Sequence, residues 1–360
     1  MCRSAFRLRA FINDTQRKKL YDEVIKPVDQ FLTIDKLEHK MTERMINETA
    51  FWGQNQSSFE QAEYIMRDIL GHSVSDSTIQ KVTHSVGKKL FEENTKNAQE
   101  AFNNMIEMPY TPSKAGVLYI MIDGAAINTR KRFKADTSWR ENKLIMVFNS
   151  NDLKLRSDGI TMDILRKEYV SYIGNVEQFK KYVFECALRN GYGEYEKTVI
   201  VSDGASWIRS MCEELFPDAI QVLDYFHLVE NINSYAKFLY GDDQKKYKPW
   251  AEKIIDHVKT GKTKELLKTL EQYKDKKNRP DGIVNIYKYI SDNRKKIDYS
   301  SYKKSGFYIG SGPVESANKT VLQKRCKGPG MMWDEYNAQY ILTLRSQVES
   351  KIWVHYKKSA

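Results

Sequence analysis

The chain has 360 residues, 41% of them hydrophobic and 29% charged, the ordinary balance of a soluble globular protein with room for two or three structural units. Its 58 Lys+Arg against 47 Asp+Glu leave a formal charge of +11, so a polyanion is the expected partner, nucleic acid first. No apolar run reaches the length of a membrane span, no signal-peptide core opens the chain, and Cys2, Cys186, Cys212 and Cys326 lie too far apart to build a zinc site. The expectation is therefore a cytoplasmic protein with reduced thiols and no membrane partner.

Residues 1–56 read as a mixed, charged, helical N-terminal region. Within 57–114, SSFEQAEYIMRDIL sets Phe59, Ala62, Ile65, Met66 and Ile69 at helical spacing behind a Ser57 or Ser58 cap. GHS interrupts the pattern. SDSTIQKVTHSVGKKL restarts it, with Ser75 or Asp76 as cap and Ile79, Val82 and Val86 on one face. Two short helices across a glycine turn fit a helix-turn-helix, with Ser77, Thr78, Lys81, Ser85 and Lys88 turned outward to DNA, or equally an ordinary helical hairpin.

From residue 115 the pattern changes. VLYIMIDG (117–124) is an almost unbroken apolar run closed by Asp-Gly, as expected of a strand buried on both faces. ENKLIMVFNS (141–150) and KEYVSYIG (167–174) predict two more strands, and NVEQFKKYVFECALRNGY (175–192) a helix. KTVIVSDG (197–204) repeats the strand-then-Asp-Gly design, and AIQVLDYFHL (219–228) predicts a fifth strand running into a helix. Residues 115–240 thus begin an α/β sheet domain. Residues 241–305 interrupt it with helical spacing and 18 Lys+Arg against 10 Asp+Glu, a net of +8. They read as an all-α insertion with a basic surface suited to phosphate contact. Residues 306–360 return to the sheet domain and close with a helix from Trp333 to about Lys351, striped by Tyr336, Tyr340, Ile341, Leu344 and Val348.

The chemistry is carried by carboxylates. IDGAA (122–126) and SDGAS (202–206) each place an Asp at the end of an apolar strand, followed by small residues that let a substrate approach the backbone. Either Asp alone would serve as a turn or cap residue; two matched copies point to a site. Hard divalent cations need such oxygen ligands, and a pair of them about 3.5–4 Å apart drives in-line attack on a phosphodiester. The third acid is placed at Glu315 in GSGPVESANK, with Gly312 as N-cap, Pro313 first in the helix and Glu315 at the third position; its alternative role is to complete that cap. Lys319, Lys324, Arg325 and Lys327 follow as expected DNA contacts. Asp224 and His227 in LDYFHLVENI are accessory candidates, as a hydrogen-bonded couple, a further metal ligand or a strand contact. No G-x-S-x-G or P-loop pattern is present, which sets aside serine-hydrolase and nucleotide-triphosphate chemistry.

MIDGAAI (121–127), VSDGASWI (201–208), LDYFHLVENI (223–232) and GSGPVESANKTVLQKRCKGPGMMW (310–333) together resemble the DDE transposases of bacterial insertion sequences, in the group laid out like Mutator-type elements. The resemblance spans roughly residues 55–350. It implies a ribonuclease H-like mixed sheet flanked by helices, with Asp123, Asp203 and Glu315 holding Mg²⁺ or Mn²⁺, and Asp224 and His227 as the family's C/D-x-x-H signature. It implies strand cleavage at transposon ends, strand transfer into target DNA, a homodimer on DNA and a nucleoid-associated bacterial setting. Trp207 matches a position after the second Asp, with no role assigned. Members carry a longer N-terminal region, often with a cysteine cluster, whereas here MCRSAF opens the chain with Cys2 alone, which reads as a shortened copy. A DNA-binding protein without catalysis and a structure-specific nuclease of the same fold are the competing readings.

Overall fold

A computed structural model describes residues 37–104, 112–130, 138–158, 162–276 and 278–353; Cys2 and most of the 1–56 region lie outside these. Five strands form one mixed sheet: β1 (Lys114–Asn128), β2 (Trp139–Asn149), β5 (Glu168–Ile173), β6 (Tyr195–Ser202) and β7 (Ile220–Leu223), in the order β5-β2-β1-β6-β7. The pairs β5–β2 and β2–β1 are antiparallel, and β1–β6 and β6–β7 parallel. All five strands expected from apolar runs are present. A two-stranded hairpin, β3 (Leu153–Leu155) with β4 (Met162–Ile164), was not expected; its strands are too short to carry a pattern.

Both sheet faces are covered, which is why β1 reads as a continuous apolar run. On one face Leu118, Ile120, Ile122, Ile145 and Val147 pack against α4 (Val176–Arg189) and α5 (Ser206–Leu215). On the other, Tyr119, Met121, Leu144, Met146 and Phe148 meet α6 (Tyr225–Tyr240) and the helical segment 312–326, which ends in the short α12 (Lys324–Cys326). The helices of 241–305 are α7 (Gln244–Lys259), α8 (Thr263–Leu270), α9 (Ile286–Asp292) and α10 (Tyr299–Lys304). Ile254, Leu266, Ile290 and Tyr299 belong to the same core as the second face. The regular elements among the described residues of 241–305 are helices, and their buried side chains are continuous with the sheet's own interior.

At the N-terminal side, α1 (Glu43–Asn55) precedes α2 (Phe59–Tyr64), which widens into a π turn (Ile65–Ile69) before Gly71 reverses the chain at φ +72°. Ser58 and Ser75 supply the caps. The helix after the turn, α3 (Asp76–Asn103), runs for 28 residues, far longer than the short restart expected. It packs against α1, α4 and the last helix, α13 (Glu335–Glu349). Residues Ile341–Ser346 of α13 are all buried, so the expected stripe gives way to a helix enclosed by α3, β5 and the 318–323 turn. Cys186, Cys212 and Cys326 are buried free thiols. No described helix is long and apolar enough to cross a membrane.

Candidate active site

Parallel pairing gathers the acids. β1 and β6 match through Met121 and Val201, so Asp123 and Asp203 each lie two residues beyond the last paired position of neighbouring parallel strands. β6 and β7 match through Ser202 and Leu223, which sets Asp224 next in line. Neighbouring parallel strands point their carboxyl ends the same way, and this is where ligands gather in such sheets. The two Asp-Gly copies are nevertheless not equivalent. Asp203 follows the last residue of β6, and Gly204 turns at φ +82°, where a Cβ would meet Leu223 Cδ1 at 2.5 Å. Asp123, expected at a strand end, lies inside β1, which stays paired with β2 as far as Asn128 and Trp139. Only its parallel pairing stops at Met121.

Side chains alternate along β1, so Asp123 shares the face of Tyr119 and Met121, under α6 and 312–326. Its Oδ1 accepts from the Gly124 amide at 2.8 Å, and its Oδ2 from Asn318 Nδ2 at 2.5 Å. Burial holds this carboxyl above its ordinary range, against the pull of those two hydrogen bonds and of His227. Asp203 Oδ1 accepts from the Ala205 amide at 2.9 Å, and the Asp203 carbonyl accepts from the Tyr289 hydroxyl at 2.8 Å.

Asp224 is fully buried. Its Oδ1 caps α6, accepting from the amides of Phe226 (2.6 Å) and His227 (3.0 Å). Its Oδ2 accepts from the Ser311 amide at 2.7 Å and lies 3.4 Å from His227 Nδ1. Burial alone would raise its pKa; the bonds from His227 and Ser311 outweigh that and hold it low. The same contact, followed by the charges of Asp123 and Asp203, pushes His227 up to about 9. An imidazolium therefore sits among the carboxylates at neutral pH. Ser311 also donates from Oγ to Glu315 Oε1 at 3.0 Å, so Asp224 and Glu315 are joined through one residue. Ser311, not Gly312, precedes the helix α11 (Gly312–Ala317), moving Glu315 one position deeper than expected.

Among the described residues, the ligand atoms that come within 4.8 Å of one another are those of Asp224, His227 and Glu315. Asp123 and Asp203, on the adjoining strands, lie outside this group, which joins Glu315 to Asp224 and His227 instead of to the two expected acids. Asp123, Asp203 and Glu315 could offer the hard oxygens that Mg²⁺ or Mn²⁺ takes, whereas the atoms that lie together pair two carboxylates with an imidazole. Asp224 has both oxygens committed to amides and to His227, which makes it a tether between α6 and the Glu315 helix.

A family profile matches residues 9–346, that of the uncharacterised protein family UPF0236. The chain belongs to UPF0236. No curated protein matches it.

In this member of UPF0236 the expected DNA contacts divide by burial. Lys81, Lys88, Lys319, Lys324 and Lys327 are exposed. Lys88 pairs with Glu92 at 3.7 Å, Lys324 donates to Asn55, and Ser85 faces Glu38. Arg325 is a correction: only 2% exposed, it donates to the carbonyls of Gly53 and Ser57 and stacks on Phe59 and Trp333, 4.5 and 5.0 Å from the ring centroids. Burial lowers its pKa to about 10. Its guanidinium is used to lock α1 and α2 to the 312–326 segment, out of reach of a phosphate. Trp207, left without a role, packs edge-on against Phe179 and under Lys143. Asn318, Ser311 and Tyr289 were not anticipated. Asn318 alone carried a signal, standing one helical turn after Glu315.

Proposed function

We propose that this chain is a DNA transposase of the DDE type, with a ribonuclease H-like catalytic unit that cuts and joins strands through Asp123, Asp203 and Glu315. The observation that carries the reading is the matched placement of Asp123 and Asp203 on neighbouring parallel strands. A sheet with three antiparallel strands followed by two parallel ones, a helical insertion and then a Glu-bearing helix supports it. So does the surplus of positive charge.

Mg²⁺ or Mn²⁺ held by Asp123, Asp203 and Glu315 would activate the attacking oxygen and neutralise charge at the scissile phosphate. The protein's own groups prepare that place. The Gly124 amide fixes Asp123, the Tyr289 phenol fixes the backbone at Asp203, and Ser311 fixes Glu315. His227 offers a ring N–H donor for a phosphate oxygen. The exposed lysines of 319–327 and of the insertion would hold the flanking backbone, with two copies of the chain on a DNA pair.

The test is cleavage and joining of DNA carrying the element's own ends, in Mg²⁺ or Mn²⁺, by wild type, Asp203→Asn and Glu315→Gln. Nicks and strand-transfer products lost in both variants, with duplex affinity retained, are expected. Hydrolysis without joining would assign a nuclease, and binding without cleavage a DNA-binding protein that has no chemistry. Equal loss of binding and cleavage in Asp203→Asn would remove the cation role.

A further inference from the structure

Asn318 is the polar side chain most closely bound to the acids that the mechanism leaves out. It is only 4% exposed and sits on the buried side of the 312–326 segment, with Val314, Ala317 and Val321 in the core around it. Its Nδ2 reaches Asp123 Oδ2 at 2.5 Å, while its Oδ1, equally buried, has no hydrogen-bond partner. Folding does not favour an amide in such a place: a half-satisfied buried polar group costs stability that an apolar residue of the same size would recover. The local backbone is special as well. Asn318 is the first residue of a π turn, Asn318–Gln323, that widens the helix begun at Gly312, and such widened turns recur where a side chain is re-aimed at a functional site.

We propose that Asn318 is a positioning residue: it holds the carboxylate of Asp123 in one orientation, so that the remaining oxygen lone pairs face the cation shared with Asp203 and Glu315. The proposal rests on the reading of these three acids as a cation site. An amide suits the task because it donates without adding charge and has fewer rotamers than a lysine or arginine. The β1 strand fixes the Asp123 backbone through its pairing with Leu144, and Asn318 then fixes the side chain. The metal ligand and its orienting partner thus come from two different elements, so docking of the Glu315 helix on the sheet completes both at once. Loss of an orienting hydrogen bond on a metal ligand lowers metal affinity about 10–100-fold.

Mn²⁺ binding to the full chain, followed by calorimetry and by the rise in Tm on adding Mn²⁺, tests the assignment in Asn318→Leu and Asn318→Asp. Asn318→Leu keeps the volume and removes the donor: Mn²⁺ affinity is expected to fall about tenfold, with the metal-free Tm equal to or above wild type. Asn318→Asp sets a second carboxylate against Asp123, so its metal-free Tm should fall, and Mn²⁺ should raise it by more than in wild type. That second variant carries the test if the first fails to fold. Wild-type Mn²⁺ affinity in Asn318→Leu, or an unchanged Mn²⁺-induced rise in Asn318→Asp, overturns the role of Asn318 alone. Absence of Mn²⁺ binding in wild type, with Asp203→Asn indistinguishable from it, overturns the cation site itself and the proposal with it.

Discussion

Arg345 carries its guanidinium wholly out of water and keeps it bonded on every side. Nε donates to the Val321 carbonyl at 2.7 Å, and Nη1 to Gln54 O and Oε1 at 2.9 and 3.1 Å. Nη2 reaches the Thr320 carbonyl and Glu349. One side chain thereby satisfies carbonyls freed where the 318–323 turn leaves regular helical bonding, and ties that turn to α1 and α13. Arg345→Leu strands those acceptors, and urea unfolding should show a loss of about 3–5 kcal/mol. Lysine at 345 should recover only part, since one ammonium cannot serve three directions; a wild-type midpoint in either variant would contradict this account. Arg325 and Arg345 also explain why burial was harder to read than chemistry. The acids at 123, 203 and 315 stood out because each lies in a short motif with small or capping neighbours, and Asp224 because His227 follows three residues on. An arginine in a basic stretch looks the same whether it meets phosphate or a carbonyl, and only the packing of α1 and α2, distant in sequence, decides it.

At the level of elements, helix crossings are set by glycine. A Cβ on Gly87 of α3 would lie 2.6 Å from the Tyr340 carbonyl oxygen of α13, backbone that cannot move aside. Gly87→Ala gains about 1 kcal/mol of helix propensity but incurs overpacking of about 1–3 kcal/mol, so its Tm should be lower than wild type; a higher one would mean that the crossing is loose. The same helix carries a titrating group. His84 stacks edge-on against Phe59, and burial, with Arg325 nearby, drives its pKa from 6.5 to about 4. The unfolded chain therefore takes up the proton first, and stability should fall as pH drops from about 6.5 towards about 4. In His84→Phe that slope should flatten, as read from Tm against pH. Elements were legible where periodicity was strong. The end of β1 was not, because Asp-Gly reads as a stop, and continuation to Asn128 depends on a partner strand, β2, that begins at Trp139. The length of α3 escaped notice for a similar reason: its polar second half is held against α4, where Thr95 meets Tyr182 and Gln99 accepts from Lys181.

For the whole molecule, the charge surplus concentrates in 241–305, where Lys245 and Lys248 are exposed on α7. If this face lies along DNA, Lys245→Glu with Lys248→Glu should weaken duplex binding and reduce the slope of log affinity against log salt by about 2. An unchanged slope in fluorescence anisotropy would take the insertion off the DNA path. The basic composition pointed to this region, but nothing in it announced how the region is anchored. Tyr289 donates to the Asp203 carbonyl and Tyr299 to that of Leu223, each at 2.8 Å, and both tyrosines sit on helices of the insertion. A segment bonded to the floor beneath the acids cannot swing as an independent arm. Excising it would expose the interior over β6 and β7 and release the strand tips that carry Asp203 and Asp224. Any shorter natural version of this chain would have to rebuild that wall, so length variation should concentrate in the turns between the insertion's helices, with the tyrosine-bearing helices kept.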